Sequence, residues 1–170
     1  MADPLILTLR LDAEATLRFE ALRRAHFPPE RNAVPAHCTL FNRLPGEMAD
    51  ALRLRIWRIA TETPPLPARV AEVMPLARRG AAFRLEVPGL EGLRGRIGAG
   101  LDLSAQDRGR RRAHVTVQNR VDAERAALTL DALRAGFAPW DALGVGLDLW
   151  WYRGGPWEAA GAFPFLGGPG

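Results

Sequence analysis

An α+β fold is predicted: two pseudo-symmetric lobes, each a small, mostly antiparallel sheet with helices packed on the outside, around a central cleft. Three observations predict it. Short apolar runs of strand length alternate with segments whose apolar residues recur every three or four positions. The order strand–helix–strand–helix–strand occurs twice. An offset of 77 residues, the spacing of His37 and His114, carries each element of the first half onto one of the same type. The halves are about 1–78 and 79–166 of one 1–170 domain, with 167–170 as a flexible tail.

Each element has a local reason. Leu5 to Leu11 (LILTLRL) has the length and composition of a buried strand. Asp12 can cap a helix bearing Ala15, Phe19 and Leu22 on one face; Pro28 and Pro29 end it after His26. Residues 30–35 read as a loop and 36–42 (AHCTLFN) as a short strand closed by Pro45-Gly46. A helix over 47–61 aligns Met48, Leu52, Ile56 and Ile59, and prolines 64, 65 and 67 separate it from a strand over 68–74. The second half repeats this with a strand over 81–87 and a helical stripe of Leu90, Leu93, Ile97 and Leu101. A polar loop over 102–112 leads to a strand over 113–119 (AHVTVQN). Asp122 caps a helix with Ala126, Leu130, Leu133 and Phe137, ended by Gly136 and Pro139. Strands near 143–152 and 158–165 flank a Gly154-Gly155-Pro156 turn.

Composition narrows the class. The chain has 170 residues, 48% hydrophobic and 25% charged, which excludes a disordered chain, a collagen-like repeat and a coiled coil. No apolar stretch is long enough to span a bilayer. Asp3, Arg10 and Asp12 stand where a signal peptide needs an apolar core. The single Cys38 excludes an internal disulfide framework. A soluble, cytoplasmic monomer without membrane association is expected. All 23 basic residues are Arg, which beside abundant Ala, Gly and Pro reads mainly as coding bias. The net charge of +4 permits an anionic ligand without demanding one.

The chemistry concentrates in two strands, His37-Cys-Thr-Leu and His114-Val-Thr-Val. Side chains alternate across a strand, so His37 and Thr39 share one face, as do His114 and Thr116. Cys38, Leu40, Val115 and Val117 take the other face, which argues against a Cys–His dyad. If the halves face each other, two imidazoles and two hydroxyls converge. A neutral His can accept a proton from an attacking hydroxyl or water while a protonated one donates to the leaving oxygen. The hydroxyls can bond non-bridging phosphate oxygens as charge develops. One His-x-Thr means little; two at matched positions, in a chain with only three His, point to catalysis. No ligand-spaced His or Cys cluster calls for a metal, and no Gly-rich loop ending in Lys calls for ATP, so neither metal nor cofactor is expected.

With these motifs and this element order, the chain resembles the two-histidine phosphoesterase superfamily, in its bacterial 2′-5′ RNA ligase/cyclic phosphodiesterase branch. The resemblance rests on His37-Cys-Thr-Leu-Phe41 and His114-Val-Thr-Val-Gln-Asn119 and spans nearly the whole chain. It implies catalytic roles for His37 and His114 and phosphate binding by Thr39 and Thr116. It further implies opening of 2′,3′-cyclic phosphates of nucleotides or RNA ends to 2′-phosphates, with 2′-5′ ligation as the reverse reaction. From another class, a catalytically weak module that binds RNA ends would carry the same motifs.

Flanking residues extend the candidate site. Strict alternation puts Phe41 and Gln118 on the histidine face, to stack on a base or bond a ribose. Arg43 and Arg120, related by the same offset of 77, end the two strands and could supplement phosphate binding, as could Arg112 in the Arg108–Arg112 run. Ordinary packing accounts equally well for Phe41, and surface charge is the plainer account of the three arginines. Trp150, Trp151, Tyr152 and Trp157 fit core packing or an edge cover, with a base platform as the sharper reading.

Overall fold

The run Leu5–Leu11 is strand β1 of the computed structural model, which describes residues 2–110 and 112–168. Arg111 of the arginine run and the last two positions of the 167–170 tail lie outside the described residues. Leu5, Leu7 and Leu9 point into the core, while Thr8 and Arg10 lie on the opposite face. Asp12 caps α1 (Ala13–His26), accepting from the Ala15 N–H at 3.4 Å. β2 (Cys38–Leu44), α2 (Ala49–Glu62) and β3 (Leu66–Pro75) complete the first half. The second half runs β4 (Ala81–Glu86), α3 (Leu90–Gly98), a one-turn α4 (Ala105–Arg108) and β5 (His114–Gln118). It continues through α5 (Ala123–Ala135), β6 (Trp140–Trp151) and β7 (Glu158–Pro164). Asp122 caps α5, accepting from the Arg125 N–H at 2.8 Å.

Several boundaries differ from the sequence expectations. The second helix opens with a 3-10 turn at Gly46–Met48, because Met48 offers no side-chain cap and its N–H bonds the Pro45 carbonyl instead. α3 stops at Gly98, three residues short of Leu101, whose N–H closes a turn on Gly98. α4 interrupts the loop expected over 102–112, started by the Ser104 carbonyl accepting from Asp107 and Arg108. β3 starts at Leu66 and β6 at Trp140, because the two pair with each other from Leu66–Gly144 to Val70–Trp140.

The arrangement of the strands corrects the expectation of two separate sheets. They form one sheet in the order β1-β2-β5-β4-β3-β6-β7, and a further β1–β6 ladder closes six of them into an antiparallel barrel. β6 is long enough to serve both β3, through Trp140–Gly144, and β7, through Gly146–Trp151, along one edge. The twofold repeat survives within this ring: β1, β2 and β3 correspond to β4, β5 and β6. The ring divides into two equivalent three-stranded groups, β6-β1-β2 and β3-β4-β5, which meet at two seams, β2–β5 and β3–β6. The third strands are exchanged, since β6 joins β1 while β3 joins β4. The long-range pairs β1–β6 and β3–β6 leave no trace in local periodicity, which is why the sequence shows the repeat and not the closure.

Candidate active site

The β2–β5 seam sets the site. Its one ladder pair among the described residues is Cys38–Val115, antiparallel. One step along that register places His37 across from Thr116 and Thr39 across from His114. Cys38 and Val115 are wholly buried on the core side, so the four polar residues share the other face. The sequence-predicted quartet is therefore brought together.

Both imidazoles are oriented in the same way. His37 Nδ1 lies 2.7 Å from the Pro35 carbonyl, and His114 Nδ1 lies 2.8 Å from the Arg112 carbonyl, each two residues upstream. A carbonyl only accepts, so Nδ1 must carry the proton and Nε2 is left to accept or donate in the cleft. Neither Nε2 nor the hydroxyls of Thr39 and Thr116 has a protein partner among the described residues. The two histidines nevertheless sit in different surroundings. His37 packs against Trp157 with ring centroids 4.6 Å apart. Burial there pushes its pKa down from 6.5 to about 4; the charges of Arg23 and His114 lower it further and the bond to Pro35 partly opposes them.

A pocket of about 160 Å³ opens beside His37, lined by Thr8, Arg10, Asp148, Trp150 and Trp157 among others. Arg10 forks onto Asp148 across the β1–β6 ladder, with Nε 3.1 Å from Oδ2. Trp150 donates its indole N–H to Thr8 Oγ1 at 3.0 Å. Sequence reasoning missed Thr8 and Arg10, although their signal is visible: they are the two polar positions, spaced by two, in an otherwise apolar strand. Asp148 carries the same signal, as the one polar side chain in the run 142–151 (ALGVGLDLWW). Of the tryptophans left open, Trp150 and Trp157 reach this pocket, while Trp151 lies under the guanidinium of Arg153.

The flanking candidates fare differently. Phe41 is not on the histidine face. The β1–β2 register steps from Thr8–Thr39 to Leu7–Phe41, which makes Leu40 an extra residue and turns Phe41 into the core. Its ring packs beneath α3, where a Cβ on Gly98 would come within 3.3 Å of it. Gln118 is likewise turned away: β4–β5 pairing steps from Ala82–Thr116 to Ala81–Gln118, leaving Val117 extra. Gln118 is 1% exposed and donates to Thr129 Oγ1 of α5 at 2.8 Å. The two bulges, at 40 and 117, obey the same offset of 77 as the histidines. Arg43 lies along a separate surface pocket with Glu47, Asp102 and Arg108. Arg120 is exposed beyond β5 with left-handed backbone (φ 61). Arg112 holds His114 through its carbonyl, and its side chain joins Arg84, Arg110 and Glu72 around an open pocket at that end of the strands.

Among the described residues no three His, Cys, Asp or Glu side chains cluster closely enough to hold a metal ion, and no helix is long and apolar enough to cross a membrane.

Comparison with solved structures places this geometry on a known fold. TT0787 of Thermus thermophilus superposes with a TM-score of 0.69 at 17% identity, covering 96% of this chain and 98% of that one. Escherichia coli LigT complexed with NADP+ gives 0.61 at 19%, covering 98% and 99%. LigT complexed with 3′-AMP gives 0.58 at 18%, covering 97% and 99%. Among curated protein sequences there is no significant match. The family model for the 2′-5′ RNA ligase superfamily matches residues 11–156. Both histidine strands fall inside that span, and the chain belongs to the 2′-5′ RNA ligase superfamily.

Proposed function

We propose that the protein is a metal-independent phosphodiesterase that opens 2′,3′-cyclic phosphates of nucleotides or RNA ends. The observation that carries this reading is the matched pair of imidazoles, each with Nδ1 tied to an upstream carbonyl and with Nε2, like the two threonine hydroxyls, unengaged among the described residues. The nucleotide class is supported by solved structures of LigT complexed with 3′-AMP, NADP+ and phosphate. Lined by Trp150 and Trp157, the pocket beside His37 suits a base or ribose next to the reacting phosphate.

The unequal surroundings of the pair support one division of roles. His37, neutral at neutral pH, is the base. Its Nε2 takes a proton from water as the water oxygen bonds to phosphorus. His114 is the acid: it gives a proton from Nε2 to the 3′-oxygen as the P–O3′ bond breaks, leaving a 2′-phosphate. Thr39 and Thr116 donate to the non-bridging oxygens. With a 5′-hydroxyl as nucleophile or leaving group, the same proton transfers interconvert a cyclic end and a 2′-5′ linkage. The reading also carries a cytoplasmic setting and a monomer.

The test is hydrolysis of a 2′,3′-cyclic nucleotide and of a cyclic-ended dinucleotide after exhaustive EDTA treatment, with the product isomer identified. Turnover should survive chelation and fall by about 10²–10⁴-fold in His37→Ala and in His114→Ala. The double variant should be little worse than either single one. Tight binding of the dinucleotide without turnover would make the protein an RNA-end-binding module instead.

A further inference from the structure

The histidine seam is short of backbone bonds. β2 and β5 share one ladder pair among the described residues, whereas the β3–β6 seam has five. On either side of Cys38–Val115 the two chains part, and next to each gap lies a buried arginine. Arg23 of α1 is 2% exposed and Arg94 of α3 is 5% exposed. Arg23 donates from Nη1 to the Thr116 carbonyl at 2.8 Å, from Nη2 to the Val34 carbonyl at 3.0 Å and from Nε to Asn32 Oδ1 at 3.1 Å. Arg94 donates from Nε to the Leu40 carbonyl at 3.0 Å, from Nη2 to the Asp107 carbonyl at 2.9 Å and from Nη1 to the Gly109 carbonyl at 3.1 Å.

The two sets of bonds have one logic. Arg23 joins the segment that leads into His37 to the strand that carries His114. Arg94 joins the segment that leads towards His114 to the strand that carries His37, at the bulged residue Leu40. Each sits on the helix that follows the first strand of its half. We infer that Arg23 and Arg94 are paired positioning residues: two buried guanidinium struts, crossing the seam in opposite senses, fix the separation of the two imidazoles where the sheet ladder does not. This deepens the proposed phosphodiesterase reading and rests on it for its catalytic consequence.

The chemistry of the side chain supports the assignment. A buried charge is tolerated only when its donors are satisfied, and here main-chain carbonyls do most of that work. A guanidinium spreads its donors in a rigid planar fork, so it can hold two chain segments at a fixed spacing. An ammonium on a flexible stem cannot. Aromatic rings back both struts: Phe27 lies 4.2 Å from the Arg23 guanidinium carbon and Phe41 lies 4.8 Å from that of Arg94. Misplacement of reacting groups by about 1 Å can cost about 10²-fold in rate.

The experiment uses Arg23→Lys and Arg94→Lys in the full chain, assayed at a temperature where circular dichroism shows each variant folded. With a 2′,3′-cyclic nucleotide, kcat should fall about 10²-fold while KM changes less than about threefold. Millimolar guanidinium, far below denaturing levels, should restore part of kcat in Arg94→Ala. Amide hydrogen exchange gives a readout independent of turnover: β2 and β5 should exchange at least about tenfold faster, with the β1–β6 ladder unchanged. Unchanged kcat in the folded lysine variants, or exchange that rises uniformly across the sheet, would overturn the inference. If the parent protein opens no cyclic phosphate, the functional reading fails and the exchange experiment still decides the strut role. Should a lysine variant not fold, Asn32→Ala removes one acceptor of Arg23 with the charge kept; it should lower kcat several-fold, and an unchanged kcat counts against the inference.

Discussion

His37 and His114 are chemically equal in sequence and unequal in place. Packing against Trp157 removes part of the His37 ring from water, which makes its charged form costly. Its pKa in the folded protein lies below the 6.5 of the unfolded chain, so the unfolded chain takes up the proton first as the medium is acidified. Stability therefore falls between about pH 6.5 and pH 4 and is unaffected by this group at higher pH. The same depression keeps His37, the proposed base, active in acid. The acid limb of kcat/KM, which reports the free enzyme, should fall near pH 4, with activity after return to neutral pH confirming that the fold survived. An acid limb near 6.5 would show that His37 is not a buried base. The hydroxyls are assigned to charge that grows in the transition state. Thr39→Val and Thr116→Val should each cost about 2.7–4 kcal/mol in activation free energy, seen in kcat more than in KM. A rise in KM alone would restrict them to ground-state binding.

Strand bulges decide which neighbours of the histidines take part. The shared face of each motif read correctly as far as the threonine, because the apolar pairs Cys38/Leu40 and Val115/Val117 fix the buried side; the strand expected over 36–42 begins only at Cys38, so His37 lies just ahead of it. Beyond it the alternation slips by one residue, and Phe41 and Gln118 go into the core. A bulge has no single-residue signature here: neither strand carries a glycine at the slip, so period-two counting runs straight past it. The helices were more legible, since Asp12 and Asp122 cap as expected and the apolar stripes follow the 3.6 period. The struts were not legible at all. In a chain whose basic residues are all Arg, nothing local separates a buried guanidinium from a solvated one. The relocation of Phe41 is testable. Phe41→Ala should lower unfolding free energy by about 3–5 kcal/mol, as expected for an emptied core site. KM for a cyclic nucleotide should stay within about threefold at a temperature where the variant is folded. A large rise in KM with little loss of stability would return the ring to the substrate.

At the scale of the whole molecule, the two halves form one ring by exchanging their third strands. The repeat was readable because the same element types recur at the offset of 77. The ring was not, because β1–β6 and β3–β6 pair residues that no short window compares. The ring is also uneven. The β3–β6 seam is a ladder of five pairs, and the seam that carries the histidines has one. Opening of the molecule should therefore begin at the histidines. In a urea series, turnover should be lost before the far-ultraviolet dichroism of the sheet and helices, whereas coincident curves would show both seams failing together.

A ring laced by backbone bonds on one side and held largely by side chains on the other has its adjustable joint at the histidines. Changing one buried side chain, Arg23 or Arg94, can reset the spacing there while the five main-chain pairs of β3–β6 stay as they are. The spacing of the two imidazoles is thus open to tuning by substitution on a frame that the substitution does not reach.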